Sequence, residues 1–171
     1  MRDTLALRVK AVRGTLSAEQ QEHGVNGTDA KGSKMSEDLP LSGVKVLLID
    51  DSNTIRRSGE IFLSQAGCRV ILAEDGFDGL AKVVDNQPDV VFVDVMMPRL
   101  DGYQTCALIK KHRHFRNTPV VMLTSKDTLF DRARGKLVGA DQYLIKPFNK
   151  KSLIEAVTAH IRAVKEADDD N

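Results

Sequence analysis

The stretch Val90-Val91-Phe92-Val93-Asp94-Val95-Met96-Met97-Pro98 constrains this chain more than any other. Its β-branched and aromatic residues occupy consecutive positions rather than every second one, the pattern of a strand buried on both faces. The run then stops at a carboxylate, which is costly to bury unless it is paired. Asp94 therefore marks a strand end with a chemical purpose. Val44 to Ile49 leads in the same way into Asp50-Asp51, Val120 to Leu123 into Thr124-Ser125, and Tyr143-Leu144-Ile145 into Lys146-Pro147. If these strands run parallel, their polar ends gather along one edge of one sheet.

Between the strands the period switches to that of helices. Ile55, Phe62 and Ala66 share a helical face ahead of Gly67, which is a stop signal, and Cys68 to Ala73 is the second strand. Phe77, Leu80, Ala81 and Val84 predict the buried stripe of a second helix, ended near Pro88. Cys106 and Ile109 point a third helix inward; Leu129, Ala133, Leu137 and Ala140 do so for a fourth. Leu153, Val157, Ile161 and Val164 mark a long last helix. Five strands alternating with five helices give right-handed crossovers and an α/β fold, a doubly wound five-stranded parallel sheet with helices on both faces.

This pattern occupies residues 43–165. Residues 1–42 read as an amino-terminal extension: Leu5, Val9, Val12 and Leu16 are spaced for one helix face, and Gly24 to Pro40 is a polar linker. The helix could dock a partner, and Met35 could be the true start. Residues 166–171 are an acidic tail. Across 171 residues the net charge is +1 with both signs interspersed, so no electrostatic footprint for nucleic acid exists. No apolar run has the length of a membrane span, and Met1-Arg2-Asp3-Thr4 opens no secretory segment, so a cytoplasmic protein is expected. Cys68 and Cys106 lie within apolar patterns as buried free thiols. His112 and His114 are two apart on a basic helix end and read as a solvated tip rather than metal ligands.

In doubly wound sheets, ligands bind beyond the carboxyl ends of the strands where the winding reverses. Asp50, Asp51 and Asp94 would meet there if the first and third strands are neighbours. Converging carboxylates repel one another unless a cation compensates them, and their hard oxygens suit Mg²⁺. An ammonium from Lys146 and a hydroxyl from Thr124 at the same edge could hold phosphoryl oxygens. Phosphoryl transfer needs mainly alignment and charge neutralisation, and a carboxylate can serve as its nucleophile.

Taken together, Asp50-Asp51, Asp94 in Val93-Asp94-Val95-Met96-Met97-Pro98, Thr124-Ser125 and Lys146-Pro147-Phe148 resemble the CheY-like receiver domain of two-component response regulators. The resemblance covers Val44 to about Val164 and implies the flavodoxin-like strand order 2-1-3-4-5. Ile49 to Arg57, Asp75 to Leu80 and Met96 to Thr105 are similar to members that control type IV pili and twitching motility. The resemblance implies that Asp94 is the phosphoacceptor, that Asp51, Asp94 and the Met96 backbone carbonyl ligate Mg²⁺, and that Asp50 acts largely through water. It implies that Lys146 contacts the phosphoryl group beside a cis Lys146–Pro147 bond. Thr124 would move toward that group and Tyr143 would turn inward behind it, reshaping the face made by the fourth helix, fifth strand and last helix. Met96 and Lys126, which cannot orient an attacking water, imply slow self-dephosphorylation. The implied partners are a chemosensory histidine kinase and the pilus machinery or an adaptor, bound through that face, with no nucleic acid and no membrane.

With no output domain after Lys165, signalling is expected through protein contact, and the protein is expected to be no enzyme beyond weak self-phosphorylation and self-dephosphorylation. A flavin or nucleotide carrier would need a glycine-rich phosphate loop after the first strand, which is missing. An aspartate phosphatase would need an acid where Met96 stands. A phosphorylation-independent scaffold would not need the full set of acids, Thr124 and Lys146.

Overall fold

The computed structural model describes residues 39–125 and 129–169. The elements are β1 (Lys45–Ile49), α1 (Asn53–Ser64), β2 (Arg69–Ala73), α2 (Gly76–Asn86), β3 (Val90–Asp94), α3 (Gly102–Lys111), β4 (Val120–Thr124), α4 (Leu129–Val138), β5 (Gln142–Ile145) and α5 (Lys150–Asp169). All strand pairs are parallel and the sheet order is β2-β1-β3-β4-β5. The winding reverses between β1 and β3.

Each strand sends alternate residues to opposite faces. Val46, Leu48, Phe92, Val121 and Leu123 pack with Leu63 of α1 and Leu153 and Val157 of α5. Leu47, Ile49, Val91, Val93, Val120 and Met122 pack with Val83 of α2 and with Tyr103, Cys106 and Ile109 of α3. β3 and β4 are buried throughout, which is why their sequences show no alternation. Full burial of each large apolar side chain contributes about 1.5–3 kcal/mol. The edge strands β2 and β5 are only partly covered.

Helix starts follow from side chains that accept the otherwise unpaired first amides. Ser52 caps α1 and Asp75 caps α2. Asp101 and Gln104 form a reciprocal capping box on α3, with bonds of 2.8 and 3.1 Å. Gly67 follows α1 with φ at +98°, a conformation that costs glycine little.

Two expected stripes are rotated in the structure. On α2, Phe77 and Val84 are exposed, whereas Gly76, Gly79 and Val83 are buried. A β-carbon at Gly79 would overlap Ile49, so the helix approaches the sheet through a glycine face that carries no hydropathy signal. On α4, Leu137 is 88% exposed and Gly135 is buried. Here the space beside the glycine is filled by Tyr143 of β5.

The packed region begins before residue 43, because Leu41 is buried and its amide bonds the Ala66 carbonyl at 3.1 Å. α5 carries helical backbone through Asp169, into the segment read as a tail. Cys68 and Cys106 are free and buried, and His112 and His114 are exposed. The helix expected near the amino terminus, Met35 and Lys126 lie outside the described residues. Among the described residues, no helix is long and apolar enough to cross a membrane.

Candidate functional site

The register of the central strands builds the site. Ile49 pairs with Val93, so Asp50 and Asp94 leave neighbouring strands side by side. Asp51 follows at the surface. Carboxylate oxygens of Asp50, Asp51 and Asp94 lie within 4.8 Å of one another. Asp50 is fully buried and Asp94 is 3% exposed, while Asp51 opens the cluster to solvent.

The Lys146 ammonium enters this cluster. Lys146 follows β5 and reaches across β4, placing Nζ 2.8 Å from Asp94 Oδ1 and 3.1 Å from Asp50 Oδ2. Its backbone amide donates to the Thr124 carbonyl at 2.7 Å, which ties the ends of β4 and β5 together. The Lys146–Pro147 peptide is cis, as expected. Thr124 is buried at the carboxyl end of β4. Met96 lies two residues beyond Asp94 with its side chain 75% exposed.

Asp50 is the best-anchored acid of the group. Its Oδ1 accepts from the Ser52 amide at 2.8 Å, and the Arg56 guanidinium donates to its carbonyl at 2.6 Å. Burial pushes the Asp94 carboxyl up; the bond from Lys146 opposes this, Asp50 and Asp51 reinforce it, and the net direction is upward. Burial alone would push Lys146 down, but its bond to Asp94 and the charges of Asp50 and Asp94 outweigh that and hold it above its ordinary value. In Asp94 burial sets the upward direction, whereas in Lys146 the facing carboxylates overcome burial. The excess of carboxylate over ammonium charge among these residues favours a hard divalent cation.

Tyr143 sits partly buried in β5, in register with Met122. Its hydroxyl donates to the Asp131 carbonyl in the first turn of α4 at 2.6 Å. Thus Asp50, Asp51, Asp94 and Lys146 are brought into contact, while Tyr143 stands behind them, engaged with α4.

Residues 46–158 match the response regulator receiver domain family. The chain belongs to that family. It is 61% identical to Protein PilG of Pseudomonas aeruginosa over 119 residues, 70% of this chain and 88% of the relative. It is 38% identical over 131 residues to the response regulator MprA of Mycobacterium ulcerans, spanning about half of that protein (54%) and 74% of this chain. Among solved structures, Vibrio cholerae chemotaxis protein CheY4 superposes with a TM-score of 0.67 at 35% identity, covering 69% of this chain and 98% of CheY4. The order 2-1-3-4-5 and the flavodoxin-like class are those of this receiver. A receiver is a phosphoacceptor in two-component signalling rather than a turnover catalyst.

Sequence reasoning missed several residues that shape the receiver site. Ser52 both caps α1 and fixes Asp50; an acid pair followed by Ser and a helix pattern is the signal for it. Arg56 gave no comparable signal, since its bond goes to a backbone carbonyl. Gly102 is a further such residue, and a glycine carries no hydropathy signal. A β-carbon there would overlap the Asp94 carbonyl oxygen and come within 2.9 Å of the Val95 Cα, so glycine lets α3 start directly against the end of β3.

Proposed function

We propose that Asp94 accepts a phosphoryl group from the phosphohistidine of a chemosensory histidine kinase and that the receiver then binds its output partner differently. The observation that supports this reading best is the convergence of the Asp50, Asp51 and Asp94 oxygens within 4.8 Å, with Lys146 Nζ 2.8 Å from Asp94. In the transfer, an Asp94 oxygen forms the new O–P bond as the P–N bond to the imidazole breaks. The bonding pair stays with the ring nitrogen, and the product is an acyl phosphate. Lys146, already at Asp94, is in reach of the arriving phosphoryl oxygens, and Asp51 leaves the site open on the solvent side.

The oxygen donors of Asp50, Asp51 and Asp94 fit Mg²⁺, with the Met96 backbone carbonyl as a further ligand. When bound, the ion neutralises charge on the transferred group. Thr124 and Tyr143 serve as the switch, and the face of α4, β5 and α5 carries the signal to its partner. Met96 offers an apolar side chain where a carboxylate or amide could orient water, so hydrolysis of the acyl phosphate is slow; Lys126 acts in the same sense.

Similarity to Protein PilG supports an output in type IV pilus extension and twitching motility, through the pilus machinery or an adaptor, in the cytoplasm. The phosphoryl reading is tested by intact mass after incubation with acetyl phosphate and Mg²⁺. One phosphoryl adduct is expected in wild type and none in Asp94→Asn or with chelator. An adduct that survives Asp94→Asn would overturn the assignment of the acceptor. Failure with both acetyl phosphate and the cognate kinase would favour a scaffold.

A further inference from the structure

Tyr143 is held by more than its own strand. Its hydroxyl donates to the Asp131 carbonyl at 2.6 Å, and a second tyrosine reaches the same residue from another element. The Tyr103 hydroxyl, from the first turn of α3, donates to Asp131 Oδ1 at 3.1 Å and lies 3.4 Å from the Asp131 carbonyl. Arg134, one turn further along α4, places its guanidinium 4.3 Å from the centre of the Tyr103 ring and 3.5 Å from Asp101 Oδ2. Tyr103 is therefore gripped between successive turns of α4, while Asp101, the cap of its own helix, accepts from the Gln104 amide. Its neighbour Gly102 donates to the Val95 carbonyl at 3.0 Å, immediately after Asp94.

Gly135 completes the arrangement from the other side. A β-carbon there would overlap the Tyr143 hydroxyl and lie 2.7 Å from Cε2. The collision involves the ring itself rather than the end of a flexible chain, so any larger residue at 135 must displace Tyr143 or the helix. Both hydroxyls titrate above the ordinary tyrosine range, with burial as the first cause in each case, as expected for rings enclosed at this junction.

We infer that Tyr103 and Gly135 are positioning residues for Tyr143: Gly135 leaves the space that its ring fills against α4, and Tyr103, by holding Asp131, fixes the carbonyl on which its hydroxyl rests. The loop leaving Asp94 is thereby joined to Tyr143 through α3 and the first turn of α4, along a route that does not pass through Thr124. This inference rests on the reading of Tyr143 as part of the switch. Its chemistry is nonetheless separate from that of Asp94.

The test exploits composition, because the chain has two tyrosines and no tryptophan. The full chain labelled with 3-fluorotyrosine gives one fluorine resonance per tyrosine, assigned with Tyr103→Phe and Tyr143→Phe. The Tyr143 resonance is expected to move toward its position in concentrated urea in Tyr103→Phe, and further in Gly135→Ala. Asp131→Asn, which keeps an oxygen acceptor for Tyr103, should retain the wild-type resonance, whereas Asp131→Ala should shift it. If Gly135→Ala does not fold, Tyr103→Phe and the Asp131 pair decide the matter. A Tyr143 resonance unchanged in Tyr103→Phe and Asp131→Ala overturns the inference. Intact mass after acetyl phosphate and Mg²⁺ is read on the same samples. A missing adduct in wild type with both acetyl phosphate and the cognate kinase would count against the Asp94 reading, and an unmoved resonance with a normal adduct against this one.

Discussion

α5 and α4 flank the same edge strand, β5, yet they are attached by different means. α5 sinks Leu153 and Val157 to complete burial in the core beneath β1, β3 and β4. α4 packs only its end, Val138, against the core among its described side chains; it presents Gly135 to a tyrosine ring, leaves Leu137 in water, and is further joined to its neighbours by hydrogen bonds and a stacked guanidinium. Apolar burial is non-directional and tolerates little rearrangement in a close-packed core. Hydrogen bonds between a hydroxyl and a carbonyl can be exchanged for water at a net cost of about 0.5–1.5 kcal/mol each. Among the described residues, α5 is thus anchored by apolar burial, whereas several attachments of α4 are hydrogen bonds that are individually cheap to exchange.

The contrast fails if the two helices respond alike to truncation. Leu153→Ala should cost about 2–5 kcal/mol through lost burial and a residual cavity, seen as a large drop in the urea midpoint. A loss below about 1 kcal/mol would show that α5 is not the anchor.

A smaller effect should come from His160 of α5, which faces Gln142 of β5 at 3.0 Å. Burial holds its imidazole below the ordinary range, opposed by Asp141 and aided by Lys110. A depressed value means that the unfolded chain binds more protons around and below pH ~6.5. The stabilising contribution is therefore complete above that pH and declines as pH falls toward the folded value. His160→Gln should flatten the dependence of stability on pH between about 7 and 5, read from melting temperatures; an unchanged slope would remove His160 from the attachment of α5.

The smallest effect is expected at Leu137. Leu137→Ala should change stability by less than about 0.5 kcal/mol, although it is the same substitution that is costly at Leu153. A larger loss would mean that Leu137 itself makes an apolar contact.

The same pair of helices explains what could be read from the chain alone. The strands, their order by resemblance, and the acids at their ends were legible because runs such as Val90 to Val93 have few other uses. α5 was legible because Leu153 and Val157 announce its buried face. α2 and α4 were found, but their faces were rotated, because Gly79 and Gly135 make contacts by lacking a side chain. The convergence of Asp50, Asp51, Asp94 and Lys146 followed from strand ends and topology. Ser52, Arg56 and Tyr103 did not, since each acts on another residue's backbone or carboxylate and leaves no periodic trace.

The two cysteines have a practical corollary. Burial pushes both the Cys68 and Cys106 thiols up to about 11, so near neutral pH each holds very little thiolate, the form that attacks alkylating reagents. Relative to a solvent-exposed thiol near 8.5, that is on the order of 300-fold less of the reactive species, before access is considered. The native chain therefore offers a chemically quiet background. A cysteine introduced by Leu137→Cys would be the fast-reacting thiol, and a dye attached there could follow α4 in real time as phosphodonor is added, without first stripping the protein of its own sulfur.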